Sequence, residues 1–393
     1  MPTILHVIAG FHQQGGGPID SLQNLLPILS DLGCKITLVS STYASSEDIA
    51  EIMRNVDLQI FPTQGPQWVA YSKQMRSFLM NYAKKFDIIH SHGLWQFPSW
   101  FASFVAKKFY IKHIITPNGH LDTWCLRHSY FRKKMALYFY QYRALKQAAL
   151  LHGKSYDEIR CFKQLGLSGP FAMIPNGVAF DMIYTPPSAE LALRKWPILK
   201  NRFVILSLGR IHFEKGFHIA LRAFAHARSK RKDLLYVIAG PISDSSYYSY
   251  LKNITENLGI TDSVVFLGPV YGKLKISLID ASTLFLAPSL QENFGTAIAE
   301  SLARGKPVVT TNATPWQLIN EYKCGWYVPV EEDAIRVALT EAIVAGVTQC
   351  STMGLRCKQL IYHKFNWRKI AYQMLDVYKW ILNKGSPPAC IIA

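Results

Sequence analysis

The sequence predicts an α/β fold: parallel sheets with flanking helices, divided into two domains. Three observations carry this. Short apolar runs alternate with helical patterns, most regularly at Phe203–Leu208, Leu235–Ala239, Val264–Leu267, Leu284–Ala287 and Pro307–Thr310. Regular strand–helix alternation puts helices on the faces of a parallel sheet. A length of 393 residues with 49% hydrophobic content supports two separate cores. Finally, Asp181–Pro187, with its paired prolines, reads as a linker, leaving an N-terminal domain over 1–180, a C-terminal domain over 188–366 and a terminal helix and tail over 367–393.

The first strand is Ile4–Ala9. The opening MPTILHVIAGF lacks the basic segment and small-residue cleavage site of a signal peptide. Gly15, Gly16 and Gly17 then precede a helix from Ile19, and glycines there let backbone approach a phosphate closely. The run is neither G-x-G-x-x-G nor a Walker sequence, so dinucleotide and P-loop enzymes are not indicated. Strands follow at Lys35–Ser40, Asp57–Pro62 and Asp87–Ser91, the last running into His90, Ser91 and His92. Two histidines at a strand end resemble metal ligands. No carboxylate or third histidine lies nearby in sequence, so the preferred reading is satisfied polar residues. The next strand, His113–Thr116, leads into Pro117-Asn118-Gly119-His120-Leu121.

Residues 124–151, WCLRHSYFRKKMALYFYQYRALKQAALL, interleave Arg and Lys with Tyr and Phe in a largely helical pattern. Such a face suits an anionic bilayer surface. The same pattern also fits an amphipathic helix with its aromatics in a core. His152–Ser155 ends a strand, Asp157–Leu165 is a short helix, and Phe171–Pro175 is the last strand of the domain.

In the second domain two loops carry the chemistry. After Phe203–Leu208 comes Gly209-Arg210-Ile211-His212-Phe213-Glu214-Lys215-Gly216. Arg210 and Lys215 bracket this turn, a fork and a point charge suited to a diphosphate. After Leu284–Ala287, Pro288 and Ser289 stop the strand, and a polar loop with Glu292 and Asn293 leads through Phe294, Gly295 and Thr296 into a helix. The N–H groups at that helix start would favour an anion. Glu292 sits in the loop and Glu300 a little over one turn inside the helix, so two acids flank an anion site. They suit hydroxyl groups on either side of a diphosphate. Both loops sit at C-terminal ends of strands, where open α/β sheets bind ligands. A final helix, about Trp367–Leu382, closes the pattern.

Composition narrows the class. No apolar run is long enough to span a membrane. Seven scattered cysteines with no CxxC pair favour a reducing cytoplasm over disulfides or structural zinc. The ending Cys390-Ile391-Ile392-Ala393 matches a prenylation box and is read as chance. A net charge of +17 fits an anionic membrane, phosphate ligands or nucleic acid. No basic arm or nucleic-acid motif accompanies it.

LGRIHFEKG, then ENFGTAIAE and the trailing ESLARGKPVV, closely resemble the retaining glycosyltransferases of family four, with Glu292 and Glu300 at their Glu-x7-Glu spacing. The resemblance implies a GT-B fold: two Rossmann-like domains facing across a cleft, with the C-terminal helix crossing back to the N-domain. It implies transfer of a sugar from a nucleoside-diphosphate donor, UDP- or GDP-linked, to a hydroxyl of a glycan or lipid-linked acceptor, with retained configuration, in bacterial polysaccharide biosynthesis, lipopolysaccharide included. By this resemblance Glu292 holds the donor sugar and Glu300 the ribose. Arg210, Lys215 and the amides of Asn293, Phe294, Gly295 and Thr296 hold the diphosphate. Gly16 and Gly17 meet it from the N-domain, His92-Gly93 lines the cleft, and Pro269–Lys273 passes under the base. A histidine near the reacting bond is expected in the 117–121 loop. The matching register holds Asn118, with a histidine two residues on, so His120 is the first candidate and Asn118 the second.

No Asp-x-Asp occurs, which points to a metal-independent reaction with no cofactor. The expected location is the cytoplasm, peripheral on the inner membrane through 124–151. A nucleotide-sugar epimerase or hydrolase of the same fold is the main alternative, and a basic nucleic-acid-binding protein the other.

Overall fold

The structure is a computed structural model that describes residues 1–10, 17–42, 53, 55–122, 130–229, 231–383 and 385–392. The chain forms two compact units, Met1–Gly177 with Trp367–Ala393, and Val178–Asn366.

The first unit is built on β1 (Thr3–Ala9), β2 (Lys35–Thr42), β3 (Asp57–Pro62), β4 (Ile88–His92), β5 (Lys112–Thr116), β6 (Leu150–Gly153) and β7 (Phe171–Met173). The second holds β8 (Phe203–Leu208), β9 (Leu234–Ala239), β10 (Val264–Gly268), β11 (Leu284–Ala287), β12 (Val308–Thr311) and β13 (Gly325–Val328). A last strand, β14 (Ile391–Ile392), returns to the first unit. The first sheet runs β14-β7-β6-β5-β4-β1-β2-β3 and the second β10-β9-β8-β11-β12-β13. β14 is antiparallel to β7, and every other pairing is parallel.

Parallel strands covered on both faces read as continuous apolar runs, because both sets of side chains are buried. In the first unit, Leu5, Val7, Val39 and Ile89 pack with the helices Lys73–Tyr82 and Phe97–Phe109. Their alternates Ile4, Ile8, Ile36, Leu38 and Ile88 pack with the helices Gly17–Asp31 and Trp367–Ile381. The last helix belongs there because Ile370, Met374, Tyr378 and Ile381 recur every three or four residues on one face, and that face is buried.

The tail continues this packing. Ile391 and Ile392 register with Ala172 and Phe171, and the Cys390 carbonyl accepts from Met173 N at 2.9 Å. The apparent prenylation box is thus sheet edge.

Two parts of the second unit depart from expectation. Asp181–Pro187 is not an open linker. It begins within a short helix, Phe180–Tyr184, and Met182 is buried in the second core. The Arg304 guanidinium grips the segment, donating to the carbonyls of Met182 (3.2 Å) and Thr185 (2.7 Å) while paired with Asp280 (2.7–2.8 Å). The other departure is β13, an unexpected strand paired with β12. A Cβ at Gly325 would lie 2.0 Å from the Val308 carbonyl, so this edge requires glycine, a residue that argues against a strand in sequence.

Strand order locates the ligand side of each sheet. In the second unit the chain moves from β8 outward to β9 and β10, then returns beside β8 and moves the other way through β11, β12 and β13. The direction reverses between β8 and β11, and open sheets bind ligands beyond the strand C-termini at such a reversal. In the first unit the same reversal falls between β1 and β4.

Candidate active site

The loops that follow β8 and β11 meet at the reversal of the second sheet. The first tightens into a 3-10 turn, Phe213–Lys215, and Gly216 follows in the left-handed region at φ 66°. A Cβ there would sit 2.0 Å from the Pro288 carbonyl, so only glycine permits this approach. Leu290 N donates to the Glu214 carbonyl at 2.8 Å, fastening one loop to the other. Glu292 N donates to the Ala313 carbonyl at 3.1 Å, which fixes the second loop from its far side.

This framework brings Lys215 onto Glu292, seventy-seven residues away in sequence: Nζ donates to Oε1. Ser289 Oγ donates to the same oxygen at 3.2 Å. Both charged side chains are less than one-fifth exposed. Arg210 is more open and faces Glu214 at 3.8 Å.

Phe294 turns inward against Trp316 and Phe365, and its carbonyl accepts from Trp316 Nε1 at 2.5 Å. Gly295, at φ 77°, then begins the helix Thr296–Ala303 without a side-chain cap. The aromatic anchor fixes where that helix starts, and with it the direction of its first N–H groups. Glu300, on this helix, pairs with Lys275 Nζ at 2.6 Å. Of the predicted residues, Arg210, Lys215, Glu292, Asn293, Phe294, Gly295, Thr296 and Glu300 all lie in the second unit. Sequence reading missed Ser289 and Lys275. Ser289 was read as a strand stop, and nothing in the local sequence singles out Lys275.

Gly17 and His120 belong to the first unit, and Gly16 lies outside the described residues. Gly17 opens the helix Gly17–Asp31, where a Cβ would meet nothing within 4 Å. His120 Nδ1 accepts from Leu94 N at 2.9 Å, leaving Nε2 as the proton-bearing nitrogen of the neutral ring. Burial, aided by the charge of Lys133, lowers its pKa to about 4. Asn118, two residues back at φ 57°, has a buried Oδ1 without a hydrogen-bond partner among the described residues.

The loop holding both is anchored by Glu158, whose carboxylate accepts from Gly119 N (2.7 Å) and Lys154 N (2.9 Å). Lys154 Nζ in turn reaches Ser21 Oγ at 3.2 Å. Burial pushes the Glu158 carboxyl up and the Lys154 ammonium down. Glu158 was also missed, because nothing in its local sequence marks it.

His90 and His92 acquire a third neighbour, His6, which parallel pairing of β1 and β4 places opposite His90. Ligand nitrogens of the three lie within 4.8 Å of one another. The cluster is a hydrogen-bonded stack. His6 Nδ1 pairs with His92 Nε2 at 2.9 Å, while His90 uses both nitrogens, with Tyr378 OH (2.8 Å) and Thr116 Oγ1 (2.7 Å). Burial lowers all three pKa values, so the rings are neutral.

Residues 16–177 match the glycosyl transferase 4-like domain and residues 189–347 the glycosyl transferases group 1 family. The chain is 31% identical over 179 residues to alpha-monoglucosyldiacylglycerol synthase of Streptococcus pneumoniae, covering 44% of this chain and 40% of that one. It is 24% identical over 296 residues to phosphatidyl-myo-inositol mannosyltransferase of Mycobacterium leprae, covering 71% and 75%. The chain spans less than half the length of several curated relatives it matches. Among solved structures, Anabaena HepE in complex with UDP and glucose superposes with a TM-score of 0.77 at 19% identity, over 97% of this chain and all of that one. Each half of the chain thus matches a glycosyltransferase domain, and the GT-B fold, two parallel-sheet Rossmann-like units, is shared along nearly its whole length.

Proposed function

We propose that the protein is a retaining glycosyltransferase that moves a sugar from a UDP- or GDP-sugar to a hydroxyl of a glycan or lipid-linked acceptor, in bacterial polysaccharide biosynthesis. The observation that carries this is the junction of Lys215 with Glu292 beside the uncapped helix start at Gly295. A cation for the leaving diphosphate and an acid for sugar hydroxyls meet at one point. The HepE complex with UDP and glucose supports the donor class. The names of the streptococcal synthase and the mycobacterial mannosyltransferase support a lipid acceptor.

In this reading the acceptor oxygen attacks the anomeric carbon on the face the diphosphate leaves. The carbon–phosphate oxygen bond breaks as the new glycosidic bond forms, and the acceptor proton passes to a departing phosphate oxygen. Arg210, Lys215 and the amides from Asn293 to Thr296 stabilise the charge that develops there, without a metal ion. Glu292 orients the sugar hydroxyls and Glu300 the ribose. Gly16 and Gly17 admit the diphosphate from the first unit. His120, neutral with a proton on Nε2, donates to the sugar, with Asn118 as the alternative.

The protein works in the cytoplasm, on the inner face of the membrane. Among the described residues no helix is long and apolar enough to cross a bilayer. The helical stretch Tyr130–Gln147 supports surface attachment: Tyr138 is 81% and Phe139 67% exposed. Phe139 lines a groove of 640 Å3 with Trp100, Phe104 and Tyr110, also exposed, and with Lys107, Lys112 and Arg143. Exposed aromatics among cations suit an anionic headgroup layer.

A thermal-shift panel of nucleoside diphosphates and nucleotide sugars tests the donor. Ligand at about a hundred times its Kd adds ~2.7 kcal/mol of stability. Either UDP or GDP shifts the wild type, and Glu292→Ala loses only the increment due to the sugar. No response to any nucleotide sinks the assignment. Sedimentation with phosphatidylglycerol vesicles tests attachment. Y138S/F139S reduces binding, and wild type that ignores such vesicles refutes it.

A further inference from the structure

Glu300 takes its cation from outside the loop and helix that carry it. Lys275 lies in the first turn of the helix Gly272–Ala281, which follows β10. In the sheet, β10 is separated from β11, which precedes Glu300, by β9 and β8. The pairing at 2.6 Å therefore spans the ligand side of the sheet. The side chains are 27% and 12% exposed for Lys275 and Glu300, so water screens the pair far less than an open surface pair. Lys275 occupies Oε1, and among the described residues no donor reaches Oε2.

The contrast with Glu292 is informative. Its cation, Lys215, shares the anion site, and a bound diphosphate competes for it. Lys275 instead comes from the helix after β10, which Gly272 at φ 55° opens. A carboxylate held on one oxygen by an ammonium keeps one rotamer and presents its second oxygen as an oriented acceptor.

Resting on the reading of Glu300 as the ribose acceptor, we propose that Lys275 is a positioning residue for the donor ribose: it locks Glu300 so that Oε2 accepts a ribose hydroxyl, and thereby sets the preference for ribonucleotides.

The test compares Kd values of UDP and GDP with those of their 2′,3′-dideoxy forms. Wild type prefers the ribose form by on the order of tenfold or more, the scale of a hydrogen bond to a charged group. In Lys275→Met this preference falls to within about threefold of unity, while the dideoxy form binds as it does to wild type. Lys275→Arg restores much of the preference. Glu300→Gln weakens it, and adding Lys275→Met to Glu300→Gln weakens it no further. Melting of the ligand-free variants checks that each is folded. Equal weakening of ribose and dideoxy forms in Lys275→Met overturns the proposal, as does a preference that Lys275→Met retains. A wild type that binds both forms equally overturns the ribose role of Glu300 itself, and the proposal with it.

Discussion

Replacing Gly216 with alanine tests the loop junction directly. The new Cβ would start 2.0 Å from the Pro288 carbonyl oxygen, whereas real Cβ contacts keep at least 3.0 Å. The contact is backbone on both sides, so no side-chain rotation relieves it. The loops must part by about 1 Å, the difference between those distances. Lys215 adjoins Gly216 on one loop, and Glu292 lies four residues beyond Pro288 on the other, so the shift pulls their junction apart. A 1 Å misplacement of positioning groups costs on the order of a hundredfold in rate. The left-handed backbone at φ 66° adds about 1–2 kcal/mol of strain for a residue with a Cβ. Gly216→Ala is therefore expected to stay folded, melt a few degrees lower, and lose about two orders of magnitude in kcat/KM for sugar transfer. Calorimetry and a coupled nucleotide-release assay read the two effects. If Gly216→Ala keeps kcat/KM within about threefold of wild type, the loop junction does not organise the site, and the argument from close packing fails.

Other outcomes follow from the same contacts. Lys215→Met should lower kcat/KM by about 2–4 kcal/mol, roughly 30- to 900-fold, because a preorganised cation is lost from the leaving group; a change below about fivefold argues against that role. Arg304→Met leaves the Asp280 carboxylate, whose side chain is 4% exposed, without its cation and with the Ser188 N–H still donating to Oδ2, and should destabilise the second unit by about 3 kcal/mol in urea unfolding. Adding Asp280→Leu should recover part of that loss, and no recovery would assign it to the Met182 and Thr185 carbonyls. His6, His113, His120 and His152 are held by burial at pKa values of about 3 to 4, below the ordinary 6.5. The folded state then binds fewer protons than the unfolded chain. The stability these groups contribute is full above pH 6.5 and is lost as pH falls toward 4, by about 1.4 kcal/mol per pH unit for each. Urea midpoints measured from pH 7 to pH 5 should drop accordingly, and flat midpoints would refute neutral burial. Tyr378→Phe removes the hydroxyl paired with His90 Nδ1 and should cost about 1–3 kcal/mol, read by the same unfolding.

The sequence by itself determined the α/β class, most strand positions and the two loops proposed to carry the chemistry. Strand–helix alternation and apolar runs are local signals, and the residues around Arg210–Gly216 and Glu292–Glu300 are contiguous. It also carried the C-terminal helix, because its three-four apolar spacing is written in Trp367–Ile381. Tertiary structure alone decided which strands are neighbours. The reversals between β8 and β11, and between β1 and β4, depend on sheet order, which no local pattern encodes. That order brings Lys215 to Glu292 and sets His6 beside His90. An ion pair between the helices after β10 and β11, far apart in sheet order, joins Lys275 to Glu300. The segment Asp181–Pro187 looked like a linker because its prolines are visible in sequence, while the Arg304 side chain that holds it comes from more than a hundred residues away. Ile391 and Ile392 had too short a run to read as a strand, and they become one only because β7 offers an edge. In each case the deciding interaction is a hydrogen bond, ion pair or packing contact between residues far apart in sequence, and only the folded chain brings them within reach.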